Sequence, residues 1–211
     1  PPEQLEHSDL IVVWGNNVTV SNLHLMRTIN AAKGKKNAKL VVIDPKRIKV
    51  AEQANLHIPV HPGTDVVLAL GLAAELERRG AHDLSFIKEW VAGYDAYMAE
   101  ARKVTRDEVL ATCRITPEMF DTLADWYVAA ENVGVSVGNG LERGHSGGSG
   151  IRAAMSLQAL TGNHGRLGAG VFAKPGNAFP KNTARLQRPD LAPEGTRTIN
   201  IVDVSQLILD E

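Results

Sequence analysis

Residues 10–17 read LIVVWGNN: five apolar residues ahead of a glycine and two asparagines. A short, continuous apolar run rich in β-branched residues is a buried strand, and Gly15-Asn16-Asn17 is the turn behind it. A helix is expected next. Leu25, Met26, Ile29 and Ala32 recur at helical spacing, with Ser21 placed to cap the start and Gly34 to stop the end. Leu40–Ile43 then forms a second buried strand, closed by Asp44-Pro45. A third extended segment, Leu56–Val60, runs into His61-Pro-Gly-Thr-Asp65 and a strongly helical stretch from Val66 to Arg79, stopped by Gly80. Strand, helix, strand, linker, strand, helix is the order of parallel βαβ units. The expected fold is therefore α/β, a Rossmann-like three-layer domain with helices flanking a parallel sheet.

Downstream, residues 83–131 read as helical. Thr116 can cap a helix that has Pro117 at its first position, and Phe120, Leu123, Ala124, Tyr127 and Val128 line one face as core. Val133–Val137 returns as a buried strand, and Ile151–Thr161 as a helix ended by Gly162. From Gly165 to about Thr198 the chain is rich in Gly, Pro, Asn and Arg, with almost no periodicity. A loop of that length is expected only where it packs against something further. Ile199–Glu211 reads as a short helix. The domain expectation is an α/β domain over residues 1–169 and the incomplete start of an adjoining domain over 170–211.

With 211 residues, 44% of them hydrophobic, the chain has ample material for a core. Its formal net charge of −1 and scattered basic residues give no footprint for nucleic acid. The lone Cys113 excludes internal disulfides and iron–sulfur ligation by this chain alone. No apolar run is long enough for a bilayer, and PPEQLEHSDL lacks signal-peptide character. The expectation is a soluble piece of a larger protein, cytoplasmic or periplasmic, without direct membrane insertion.

The stretch GNGLERGHSGGSG, residues 138–150, admits three readings. It contains G-x-S-x-G around Ser146, the pattern of a hydrolase nucleophile elbow. Its glycines could cradle a phosphate, or let backbone pass close to a large ligand. The elbow requires its serine at the turn directly between strand and helix, whereas Ser146 lies well past Val137, and only His164 follows it. A Walker loop would need a Gly-Lys-Ser/Thr ending, and Gly15-Asn16-Asn17 does not supply G-x-G-x-x-G. His57 and His61 are four apart, but Pro59 between them removes the helix that would aim both at one metal.

Ligands of doubly wound sheets sit beyond the carboxyl ends of the strands. Three such ends carry polar, turn-forming residues: Trp14-Gly15-Asn16-Asn17, Asp44-Pro45-Lys46-Arg47 and Pro62-Gly63-Thr64-Asp65. Asp44 stands where a ribose-binding carboxylate belongs, and Thr64 and Asp65 stand at a helix start with free backbone N–H groups. Each residue also has a plainer role: Asn17 in a turn, Asp44 fixed by Pro45, Asp65 complementing a helix dipole. Their convergence on one sheet edge favours a nucleotide site.

WGNN, VVIDPKR, HPGTD and GNGLERG followed by LQALTGNHGRLGAGVF, in this order and spacing, resemble the molybdopterin oxidoreductases of the dimethyl sulfoxide reductase type. That family includes formate dehydrogenases and nitrate reductases, and the resemblance covers nearly the whole chain. It implies an α/β domain that binds one guanosine arm of a molybdopterin guanine dinucleotide, in a parent enzyme with two-electron chemistry at molybdenum or tungsten. Carried over residue by residue, Trp14, Gly15, Asn16, Asn17 and Ser21 would meet the nucleotide. Ile43, Asp44, Pro45, Lys46 and Arg47 would meet its ribose and phosphates, Gly63, Thr64 and Asp65 the guanine, and Asn139 and Arg143 the pterin. Asn16 departs from the smaller residue usual there, which implies a side chain turned away.

The family's cysteine cluster, its metal-ligating side chain and its C-terminal domain have no counterpart in these residues. The resemblance thus implies a fragment, with no catalytic and no metal-ligating residue of its own and no turnover alone. Its partners would be the remaining domains of the parent and an iron–sulfur electron-transfer subunit. Two other classes stay open here: a binding or assembly module with the same fold, and a serine hydrolase using Ser146.

Overall fold

The computed structural model describes residues 1–173 and 180–210. The chain divides into two compact units, Pro1–Lys174 and Pro175–Glu211. In the first, a 3-10 helix, Pro2–His7, precedes strand β1, Leu10–Trp14. One helical turn, α1 (Val18–Ser21), leads to α2 (Leu23–Lys36) and β2 (Lys39–Ile43). Then come α3 (Lys49–Glu52), β3 (Leu56–Ile58) and α4 (Asp65–Arg78). Helices α5 (Leu84–Trp90), α6 (Tyr94–Ala101), α7 (Arg106–Cys113) and α8 (Pro117–Ala129) follow. The unit closes with β4 (Val133–Val137), α9 (Asn139–Glu142), α10 (Gly147–Leu160) and β5 (Gly170–Phe172).

All five strands are parallel, in the order β3-β2-β1-β4-β5. The chain builds from β1 out to β3, then returns to set β4 on the other side of β1. The reversal between β1 and β4 is the point where ligands of such sheets bind. Strand alternation sorts the core into two layers. Leu10, Val12, Trp14, Val41, Ile43, Val133, Val135 and Val137 share one cluster with Leu68, Leu72 and Leu76 of α4, Leu123 of α8 and Leu157 of α10. Ile11, Val13, Leu40 and Val42 share the other with Leu5 and with Leu25, Ile29 and Ala32 of α2. At roughly 1.5–3 kcal/mol per fully buried large side chain, Leu25 and Ile29 are enough to anchor a helix that is otherwise mostly polar. The expected three-layer α/β fold is what the chain adopts.

Several local expectations hold for their stated reasons. Thr116 Oγ1 accepts from the Met119 amide at 3.3 Å with Pro117 at the first helical position, and Gly80 and Gly162 take φ of +71° and +66° behind α4 and α10. Others need correction. Ser21 does not cap α2; it ends α1, where its hydroxyl donates to the Asn17 carbonyl at 3.0 Å. Gly34 lies inside α2, and the helix stops at Asn37, left-handed at φ 54°, a conformation asparagine tolerates. Val128 is 45% exposed, while Phe120, Leu123, Ala124 and Tyr127 are buried. Helix α10 begins at Gly147, inside the glycine-rich stretch. The stretch expected to be a loop after Gly165 contributes β5, paired to β4.

In the second unit, α11 (Thr183–Gln187) is capped by Asn182, whose Oδ1 accepts from the Arg185 amide at 2.9 Å. Short 3-10 turns, Pro189–Leu191 and Ile201–Asp203, precede α12 (Val204–Asp210), the helix expected near the end. None of these elements contains a buried residue. Residues 174–179 of the expected loop lie outside the described residues.

Candidate functional site

Trp14 ends β1 with its ring on the α4 side of the sheet. It is 1% exposed. A buried indole N–H needs a partner, and the Trp14 Nε1 donates to Asp65 Oδ1 at 2.7 Å. Asp65 is the first residue of α4 and half-buried. Burial pushes its carboxyl above the ordinary aspartate range; the hydrogen bonds from Trp14 and from its own backbone amide oppose that shift, and the Asp44 charge reinforces it.

Beyond Trp14 the chain turns at Gly15, with φ +58°. A β-carbon there would lie 2.5 Å from the Leu141 amide nitrogen. The Gly15 amide donates to the Ile43 carbonyl, and its own carbonyl accepts from the Gly140 amide, both at 2.9 Å. The Gly138 amide donates to the Trp14 carbonyl at 2.9 Å. The first glycines of the 138–150 stretch therefore seat the β4 loop on the β1 loop, backbone against backbone. Gly147 is similarly tight against the Glu142 carbonyl. Ser146 is exposed, and among the described residues no side-chain hydrogen bond joins it to a histidine.

Asn16 turns toward the sheet, its Nδ2 donating to Ser136 Oγ of β4 at 2.9 Å. Asn17 Oδ1 accepts from Thr19 Oγ1 at 2.9 Å. At the end of β2, Asp44 Oδ1 accepts from the Lys46 amide at 2.8 Å, an Asx turn. The Asp44 carbonyl lies 2.9 Å from His57 Nε2, which must donate because a carbonyl only accepts. Behind β3, Gly63 has φ +85° and Thr64 Oγ1 donates to the His61 carbonyl at 2.7 Å. The Cys113 thiol donates to the Thr64 carbonyl at 3.6 Å, and burial pushes its pKa up.

The candidate residues thus divide by depth. Trp14 and Ile43 are buried, so their side chains can act on a ligand only through neighbours. Gly15, Asn16, Asn17, Asp44, Thr64 and Asp65 are half-buried, while Ser21, Pro45, Lys46, Arg47, Gly63, Asn139 and Arg143 are exposed. The side chains of Lys46, Arg47 and Arg143 have no hydrogen-bond or ion-pair partner among the described residues. Asp65 lines a crevice of about 10 Å³ with Gly63, Val66, Leu141, Gly144, Ser146 and Gly147, room for one water. Ser136 and His57 join this edge without being marked for it by the sequence pattern. Only Ser136 left a signal, as the one polar side chain in VGVSV.

A family model described as molybdopterin oxidoreductase matches residues 1–201. The chain belongs to this family. Among its relatives, the probable oxidoreductase YoaE of Bacillus subtilis is 31% identical over 99% of this chain and 31% of its own length. The F420-dependent formate dehydrogenase subunit alpha of Methanocaldococcus jannaschii is 28% identical over 80% of this chain and 25% of its own. A nitrate reductase of Synechocystis sp. is 27% identical over 82% of this chain and 24% of its own. The structure of acetylene hydratase from Pelobacter acetylenicus shares the fold, with a TM-score of 0.66 and 23% identity over 76% of this chain and 24% of that one. The chain spans between about a quarter and a third of the length of these curated relatives. Among the described residues no helix is long and apolar enough to cross a membrane.

Proposed function

We propose that this chain is the part of a molybdenum or tungsten oxidoreductase that binds the guanosine arm of a molybdopterin guanine dinucleotide. One observation carries the reading: the strand ends and loops at the carboxyl edge of the sheet carry a half-buried carboxylate, Asp65, and three exposed cations, Lys46, Arg47 and Arg143, whose side chains have no hydrogen-bond or ion-pair partner among the described residues. This donor and acceptor set fits the group. An ionised carboxylate only accepts, and guanine offers N1–H and an amino group as adjacent donors, where adenine has an acceptor at N1. Lys46 and Arg47 suit the phosphates. Asp44 keeps acceptor positions for ribose hydroxyls beyond the one used by Lys46. Asn17 and Ser21 face the nucleotide, Gly63 and Thr64 flank the base, and Asn139 and Arg143 lie toward the pterin.

When bound, the cofactor supplies two-electron redox chemistry at molybdenum or tungsten. The residues of this chain bind and orient it; none is assigned to the metal or to catalysis. The crevice beside Asp65 is far too small to enclose a base, so the base lies against the edge and the other domains of the parent close over it. An iron–sulfur electron-transfer partner fits the same assembly. Asp65→Ala in the full-length parent tests the reading. Loss of a charge-assisted hydrogen bond, worth about 1.5–3 kcal/mol, should lower pterin and guanine content. Unchanged content beside a lowered thermal midpoint would leave Asp65 a helix-start acid and overturn the assignment.

A further inference from the structure

We infer that Trp14 is a positioning residue that sets the Asp65 carboxylate for guanine without touching the ligand, an inference that rests on the guanosine reading above. Three observations converge. Trp14 is 1% exposed, so no base can stack on it or reach its N–H. Its indole nitrogen donates to Asp65 Oδ1 at 2.7 Å across 51 residues of sequence. Its carbonyl accepts from the Gly138 amide at 2.9 Å. Trp14 therefore holds the start of α4 through its side chain and the β4 loop through its backbone.

That double tie matters because two donors claim the Asp65 carboxylate. Its own backbone amide at the start of α4 hydrogen-bonds to it as well, and the free amides of a helix N-terminus draw a carboxylate back on themselves. The Trp14 N–H draws one oxygen toward the sheet, while Asp65 still lines the crevice with Gly63 and Ser146. Two of the roughly four acceptor positions of the carboxylate are then occupied, one by Trp14 and one by the Asp65 amide, and the others are held in a fixed plane. Phenylalanine would fill much of the same core space and lack the donor.

The test is a double-mutant cycle in the full-length parent, reading pterin and released GMP per protein together with the thermal midpoint. Trp14→Phe should weaken cofactor retention about tenfold, the scale of one hydrogen bond to a charged group, and cost nothing further in an Asp65→Ala background. Val12→Ala, in the same core cluster, controls for destabilisation alone. If Trp14→Phe does not fold, 3-benzothienylalanine at this position keeps the ring shape without the N–H and is read the same way. Retention in Trp14→Phe equal to that in Val12→Ala at a similar midpoint overturns the inference, as does a Trp14→Phe loss that persists undiminished beside Asp65→Ala. Loss in Asp65→Ala with full retention in Trp14→Phe overturns it while the guanosine reading stands. Full retention in Asp65→Ala overturns both.

Discussion

The amide of Gly140 donates to the carbonyl oxygen of Gly15 across 2.9 Å, and this contact joins the two loops at the point where strand order reverses. Gly138 lies in the same contact: a β-carbon there would stand 2.5 Å from Asn16 Cα. Its φ of −122° is ordinary extended backbone, so the requirement for glycine is space, not conformation. Gly138→Ala should cost about 1–3 kcal/mol, the scale of overpacking, and lower the thermal midpoint by several degrees. Gly148 is the control, with nothing within 4 Å of its added β-carbon and a place in the first turn of α10. Gly148→Ala should be neutral or mildly stabilising by helix propensity. Equal midpoints for the two variants would refute the steric account.

Glu75 on α4 gives a pH signature away from the candidate site. Its carboxylate accepts from Arg78 Nε and Nη2 at 2.8 and 2.6 Å and from Arg79 Nε at 2.6 Å. The Arg78 hydrogen bonds, with those of Arg79 and against the cost of burial, hold its pKa down from 4.5 to about 2. A depressed folded pKa stabilises above the unfolded value and is lost as pH falls through the folded one. Stability should therefore decline between about pH 4.5 and pH 2, and Glu75→Gln should flatten that limb in denaturant midpoints taken across pH. A variant curve parallel to the native one throughout would dismiss Glu75 as its origin.

Asp65 has the opposite sign. Burial, against the Trp14 hydrogen bond, raises its pKa in the folded chain. A raised carboxyl pKa means that stability is fully present below the unfolded value and lost as pH rises through the folded one. Asp65→Asn removes the ionisation and keeps an oxygen to accept from Trp14. Its thermal midpoint relative to the native chain should therefore rise from pH 4 to pH 8, even as guanine retention falls in the full-length parent. A helix-start acid valued for its charge would show the reverse slope, so a midpoint difference that shrinks or turns negative with pH decides against burial as the dominant effect.

Sequence made the sheet legible wherever burial was written as a continuous apolar run, as in Leu10–Trp14 and Val133–Val137. Strand β5 escaped because Gly170–Phe172 is three residues long, begins at a glycine with φ +107°, and is defined by pairing to β4, not by a pattern of its own. Helix α2 ran past Gly34 because glycine weakens a helix without stopping it, and the stop came from the backbone of Asn37. At the candidate site, strand ends marked which residues share an edge. Sequence could not mark the contacts between them. Trp14 and Asp65 are 51 residues apart, and Asn16 and Ser136 are 120 apart; only strand order brings either pair together.

Hydrogen exchange on the 211-residue chain should separate its two units. In the second, Leu186 is 75% exposed, Ile201 84% and Leu209 80%, and its helices bury no residue. Helices α11 and α12 are five and seven residues long, well under the roughly 12–15 that an isolated helix needs to persist in water. Their amides have little to hold them and should exchange close to intrinsic rates, as should residues 180–198 between and before them. Strand β5 belongs with the protected set, since its backbone pairs with β4 and Phe172 packs against the α2 layer. Amides of β1 and β4, buried on both faces, should exchange only on global opening. Protection in α11 and α12 comparable to that of β1 would count against this account, because it would mean that their apolar side chains are covered in solution.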